Sequence, residues 1–535
     1  MKRVYCIVIL AFITSHIALS QNWIWGRGEK NLNSKSNAYV SGIAADAAGD
    51  IYLTGGYWGV DIYGTDTLSY GGKTGNAFLV KYDANGNVLW TRNSILLNTS
   101  TYSAWVNALC IDKSGYVYIG GYVNGSAVFG SDTVSGVGFL AKYDSSGRPI
   151  WAKSFSPIES LTTDVTGNVY IVFMYTADIE KCDSSGHMIW FRTIPAPKGG
   201  YGEGNSVVTD NSGNVYFGGL FDRELILGKD TLHGDTLFYD AFITKYDTAG
   251  NEIWAKSGIG SYQCQCNSLA TDNSGNIYMT GIFQDSMYIG SYGFASGPKG
   301  NVFLVKYTPN GNIIWAEDAV LKGSTGYDLA DGYSVCVDKE QDVYLSGTFE
   351  DTMTMGGATL VIGNSNWYGS DPAFIYKFDS SGHALCATSV GRDQDDYCGV
   401  VVDPFSNDIY FSGDAFYLTT CTFGSDTLNG GGEDYSFLAK WQPCNSPQGV
   451  NELPGSNNEI RIYPNPSSGV FTIKSSSSQS SSVEIYNMLG EGIYTRRINS
   501  ESTQIDLNSQ PSGIYLYRIT SEKGEPITSG KLVIQ

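Results

Sequence analysis

The chain has 535 residues, 33 Lys and Arg against 53 Asp and Glu, and a formal net charge of −20, a field that repels phosphate backbones and anionic lipid and so excludes nucleic acid as a partner. Only 16% of residues are charged, while 65 are glycine and 37 tyrosine, which fits many short strands joined by tight turns and excludes long helical repeats.

Met1–Ser20 begins with Lys2 and Arg3, continues as an apolar run from Val4 to Ile13, and ends in Ala18-Leu19-Ser20 before Gln21. That is the pattern of a secretory signal, with cleavage between Ser20 and Gln21. The apolar run is too short to span a bilayer and no second one follows, so the mature chain is expected to be exported without a transmembrane helix. Cleavage removes two positive charges and Cys6, leaving an odd number of cysteines. Export permits disulfides without requiring them.

Asn22-Trp23-Ile24-Trp25-Gly26-Arg27 matches Val88-Leu89-Trp90-Thr91-Arg92 and Ile150-Trp151-Ala152-Lys153. The latter two close a repeated unit, clearest at Ser206–Ser257, of four short strands. Its first turn, Asp210-Asn211-Ser212-Gly213, and its last, Asp247-Thr248-Ala249-Gly250, have Asp to accept backbone N–H groups and Gly to tolerate positive φ. First turns begin at Asp46, Asp112, Asp164, Asp210, Asp272, Asp338 and Asp403, each followed by a strand tyrosine: Tyr52, Tyr118, Tyr170, Tyr216, Tyr278, Tyr344 and Tyr410. Third strands carry Lys81, Lys142, Lys181, Lys245, Lys306, Lys377 and Lys440; fourth strands carry Trp25, Trp90, Trp151, Trp190, Trp254, Trp315 and then Cys386. The last unit, with strands at Val400–Val402, Ile409–Gly413 and Ser436–Trp441, lacks a fourth strand that Asn22–Arg27 can supply. An all-β, seven-bladed β-propeller over Gln21–Cys444, closed by its N-terminal strand, is predicted.

These units resemble the bacterial β-propeller repeat family SBBP, with its Asp-x-x-Gly-Asn turn, Val-Tyr strand and Phe-x-x-Lys-x-Asp-x-x-Gly-x-x-x-Trp pair; Asn205–Ser257 and Asn267–Asp318 match nearly throughout. The resemblance implies the fold and no particular activity.

Asn445–Asn458 is a Pro/Gly/Asn-rich linker. Glu459–Gln535 then alternates as a small sandwich: Ile460–Pro466 with its Tyr-Pro-Asn-Pro, Gly469–Ile473, Val483–Asn487, Gly513–Tyr517 and Lys531–Ile534. In order and extent this resembles the type A C-terminal sorting domain of the type IX secretion system of Bacteroidota. That resemblance implies passage across the outer membrane with the secretion machinery as partner, usual removal of the domain, and secretion or attachment at the cell surface.

No cofactor is called for. Asp272-Asn273-Ser274-Gly275 lacks the ligand run and downstream Glu of a calcium loop, so these turns read as turns. Tyr82-Asp83-x-x-Gly86-x-x-x-Trp90 and its copies resemble the structural Asp box of sialidase propellers, but sialidase chemistry needs an arginine cluster, and Arg27, Arg92 and Arg192 sit one per blade. The tryptophan column reads as packing and the lysine column as charge pairs with the Asp turns. Cys110 and Cys336 share a core column with Ala44, Thr162, Val208 and Ala270; Cys264 and Cys266 lack two further metal ligands; His187, His233 and His383 follow no ligand spacing. The triplets starting at Asp66, Asp132, Asp230, Asp235 and Asp426 resemble the O-glycosylation sequon of Bacteroidota and also fit a hairpin-turn column.

Strand parity puts the Asp-x-x-Gly turns on one face and the long, unlike connections on the other. Ligand binding is expected on the second face, through Trp58, Tyr102, Trp105, Tyr262, Tyr327, Asp328, Asp331, Asp393 and Asp395 in loops, by sugar stacking with polar or calcium-assisted contacts. The sequence therefore reads as a monomeric binding or adhesion module for an extracellular glycan or protein and not as an enzyme; the alternative is a glycan-active enzyme of sialidase-like architecture.

Overall fold

A computed structural model describes residues 22–31, 37–70, 75–97, 103–322, 330–350, 352–361, 372–390, 398–415, 420–429 and 434–444, and most of 460–534. The leader, with Ser20 and Gln21, and the linker lie outside the described residues. Every regular element described is a β-strand, and no described helix is long and apolar enough to cross a membrane. The chain divides after Cys444 into two compact units.

Among the described residues of the first unit the strands pair as seven antiparallel groups of four. The first is Asn37–Ala45, Ile51–Tyr63, Asn76–Tyr82 and Val88–Asn93. In the seventh, Asn22–Gly28 pairs with Tyr435–Gln442, which pairs with Ile409–Ala415, and that with Cys398–Val402. The orphan strand at the N-terminus thus completes the last group.

The sequence columns have concrete jobs. Asp210 Oδ1 accepts the N–H groups of Ser212 at 2.9 Å and Asn214 at 3.0 Å, closing the turn, while its other oxygen accepts the Tyr216 hydroxyl at 3.0 Å. The Lys245 ammonium lies 4.9 Å from the Tyr216 ring centre and donates to Pro309 O in the next group. Trp254 Nε1 donates to that same carbonyl at 3.1 Å. Each tryptophan also lies flat on the turn glycine of the following group: at Gly250, where φ is +79°, a Cβ would meet the Trp190 ring at 2.9 Å, so only glycine fits both the turn and the ring.

At the sixth group the tryptophan is Cys386, and the seventh has no third-to-fourth turn to receive it because the chain leaves there. Cys386 is disulfide-bonded to Cys444, two residues past the last third strand, so a covalent bond replaces the tryptophan clamp at the closing seam.

Between second and third strands most groups carry an extra hairpin, as Val60–Tyr63 with Asp66–Ser69. Asp66, Asp132, Asp230 and Asp426 open the returning arms; Asp132 accepts Ala152 N–H at 2.9 Å and Asp230 accepts Ala255 N–H at 3.2 Å, both on the fourth strand of their own group. These triplets are hairpin residues, and Asp235 lies beyond its hairpin.

The C-terminal unit is a sandwich of a three-stranded and a four-stranded sheet around Phe471, Ile473, Val483, Ile485, Ile505, Ile519 and Leu532.

Candidate functional site

First strands face one another around the axis of the large unit. Val207 N–H donates to Ser160 Oγ at 3.2 Å, Leu269 N–H to Ser206 Oγ at 3.0 Å and Val335 N–H to Ser268 Oγ at 3.2 Å, each step crossing to the preceding group. Val40 N–H donates to Asp414 at 2.8 Å, joining the first group to the seventh. The strands enclose a cavity of about 1010 Å³, to which all seven groups contribute side chains.

A sequence-level reason brings polar side chains into it. In six groups the ladder between first and second strands skips one residue: Ser41, Asn107, Glu159, Asn205, Asn267 and Tyr333. A bulge leaves its extra residue outside the ladder and re-aims the side chain, and all six line the cavity. Asn107 Nδ2 donates to Ile158 O at 3.1 Å, Asn205 to Cys266 O at 2.9 Å and Asn267 to Gly332 O at 3.0 Å; Ser41 Oγ donates to Val106 O. Each bond reaches the residue just before the next group's bulge.

At the end where second strands finish, the cavity is rimmed by aromatics. Tyr39 meets Trp58 edge-on at 5.4 Å, Trp58 meets Trp105 edge-on at 4.9 Å, and Tyr122 stacks on Trp105 at 6.5 Å. The Trp105 ring lies on the backbone of Gly56 and Gly75, where any side chain would collide with it. Tyr39 is held by its hydroxyl, which donates to Asp434 at 2.7 Å. Farther round, Tyr201 packs on Tyr239 at 5.7 Å and Phe238 on Tyr262 at 4.2 Å.

Trp58 and Trp105 were expected in loops; they stand instead on strands, Trp58 opposite Asn37 and Trp105 opposite Tyr122, because the paired segments run on past the core columns to the face of the long connections. That brings them together at one mouth. Asp331 accepts the Tyr333 hydroxyl at 3.3 Å beside the cavity wall, whereas the half-exposed Tyr262 is not part of the lining. Tyr102, Tyr327, Asp328, Asp393 and Asp395 lie outside the described residues.

Glu159 and Glu203 are cavity residues that the sequence reading passed over. The Glu203 carboxylate is fixed by Tyr201 OH at 2.7 Å and Tyr175 N–H at 3.0 Å. Burial, reinforced by Glu203, pushes the Glu159 carboxyl up to about 7. The signal was present: the six bulge residues all stand three positions before the core column of Ala44, Cys110 and Thr162. Among the described residues no Lys, Arg or His lines the cavity. The arginines are elsewhere: Arg92 and Arg192 each lie over the tryptophan of their own strand, 5.1 Å from its centre, and donate to the next group's turn glycine. Among the described residues no three His, Cys, Asp or Glu side chains gather as metal ligands would.

Residues 461–535 match the family described as the secretion system C-terminal sorting domain, and residues 257–281 match the β-propeller repeat family. The large unit is accordingly a β-propeller, and the tail marks the protein for export to the cell surface or the medium. An uncharacterized WD repeat-containing protein of Acanthamoeba polyphaga mimivirus is 25% identical over 357 residues, 58% of this chain; the chain spans 24% of that relative's length. Among solved structures, a gluconolactonase from Xanthomonas campestris aligns with a TM-score of 0.31 and 10% identity over 63% of this chain and 86% of its own. A luciferin-regenerating enzyme aligns at 0.32 and 12% over 63% and 90%. Fits this loose transfer no activity.

Proposed function

We propose that the mature protein is an exported, monomeric seven-bladed propeller that binds a glycan, neutral or positively charged, at the aromatic mouth of its central cavity, without turning it over. The observation that carries this reading is the Trp58–Trp105 pair standing over walls of side-chain amides and carboxylates, with no basic residue among the described lining. Sugars present apolar C–H faces that stack on such rings, and hydroxyls that pair with amides and carboxylates. An acidic sugar would meet Glu159, Glu203 and Asp414 with no counter-charge among the described lining residues, which weighs against sialidase-like chemistry. The signal peptide, cleaved between Ser20 and Gln21, and the secretion machinery recognising the tail belong to the same reading.

A glycan array probed with the mature propeller, followed by a sugar-release assay on each hit, tests it. Trp58→Ala and Trp105→Ala should each weaken a hit about tenfold or more, while Asp210→Ala and Asp247→Ala, on the opposite face, should lower stability alone. Affinity lost only with the turn-face substitutions, or sugar released from a hit, would overturn the proposal.

A further inference from the structure

Four of the six bulge residues tie their group to the next, Tyr333 bonds Asp331 of its own group, and Glu159 does neither. Ser41, Asn107, Asn205 and Asn267 each spend a side-chain donor on a carbonyl of the next group, and so are committed to holding the ring. Glu159 occupies the same column in the third group, where a carboxyl, unlike an amide, has no donor left once its proton is lost. Among the described residues its carboxyl makes no hydrogen bond or ion pair, although it lines the cavity and is partly buried. Glu203, next in the ring, faces the same space with its carboxylate already oriented by Tyr201 and Tyr175.

We propose that Glu159 is the specificity-determining residue of the cavity and takes the protonated amine of an amino sugar, with Glu203 as the second carboxylate beside it. Three features select a cation over a hydroxyl. Two carboxylates share a space whose described lining contains no Lys, Arg or His, so a positive ligand relieves their repulsion where a neutral one does not. The Tyr201 ring stands beside the pair, its hydroxyl bonded to Glu203 itself, and aromatic rings attract ammonium groups. The whole chain is strongly acidic, which draws cations inward from solution. A sugar satisfies the rest of the site, its ring stacking on Trp58 or Trp105 at the mouth. This inference rests on the glycan reading and sharpens it.

The test is titration calorimetry on the mature propeller with β-linked oligomers of glucosamine, N-acetylglucosamine and glucose of equal length, and with a lysine oligomer. The glucosamine oligomer should bind about tenfold or more tighter than the two uncharged ones. Glu159→Gln preserves shape and adds a donor that the ring can use, so it should fold; in it the ratio of the glucosamine to the glucose affinity should fall to about one. Equal affinity for charged and uncharged sugars, or a preference that survives in Glu159→Gln, overturns the assignment of Glu159 while leaving glycan binding intact. Binding of the lysine oligomer without any sugar, or binding of none of the four, overturns both.

Discussion

The Cys386–Cys444 bond should be a larger contributor to stability than any tryptophan clamp it replaces. It links positions 58 residues apart, and the loop-entropy relation for a closure of that length gives about 4 kcal/mol. Cys386 pairs with Lys377 in the place where Trp90 pairs with Lys81, and Cys444 is buried where the other groups place a turn. Cys386→Ser, Cys444→Ser and the double substitution should therefore each lower stability by about 4 kcal/mol in equilibrium urea unfolding of the propeller, the double costing no more than either single, because one bond is lost in every case. Thiol labelling of the unfolded, unreduced protein should find these two cysteines blocked. Single variants within about 0.5 kcal/mol of the parent, or a double variant whose cost is the sum of the singles, would refute the seam role of the bond.

Removing Asn22–Arg27 should leave an open edge along Tyr435–Gln442 and lower the melting temperature of the whole propeller; an unchanged melt would sink closure by this strand. At the same seam Glu29 accepts Ser436 N–H at 2.7 Å and the Ser436 hydroxyl at 2.6 Å. Burial, with Asp61 adding to it, pushes the Glu29 carboxyl up to about 8, and burial pushes Asp61 up to about 7. Carboxyls raised on folding stabilise most when protonated, so stability should be full below about pH 4.5 as far as these groups are concerned and fall as pH rises through about 7 to 8; Glu29→Gln should flatten that fall, and an identical pH profile in the variant would exclude Glu29 as its source. Deleting Glu459–Gln535 should leave a folded propeller, since the tail has its own core, but strand it in the periplasm of the native host; surface display of the shortened chain would refute the sorting role.

What the sequence made legible were the columns whose work is local. Asp210, Tyr216, Lys245 and Trp254 recur because each closes a turn or clamps a neighbour in every group, so spacing alone exposes them. Cys386 stood in the tryptophan column, but its partner falls where the repeat has stopped, and no periodicity points to Cys444. Strand extent was read short as well: the strand ending at Thr209 begins at Gly202, not Ser206, and the stretch before the core column holds the bulge that turns Asn205 inward. A bulge shifts parity by one residue, so alternation predicts the wrong face there. Glu159 was hidden by that shift, and Trp58 by the continuation of its strand into a hairpin that no strong turn signal announces until Gly64.

The most direct measurement is a crystal structure of the mature propeller soaked with the tightest oligosaccharide from the array. Sugar rings should stack on Trp58 or Trp105, with polar atoms reaching Asn107, Asn205 or Glu159 inside the cavity. An oligosaccharide bound on the Asp-x-x-Gly face or along the outer hairpins, with the cavity mouth empty, would contradict the assignment.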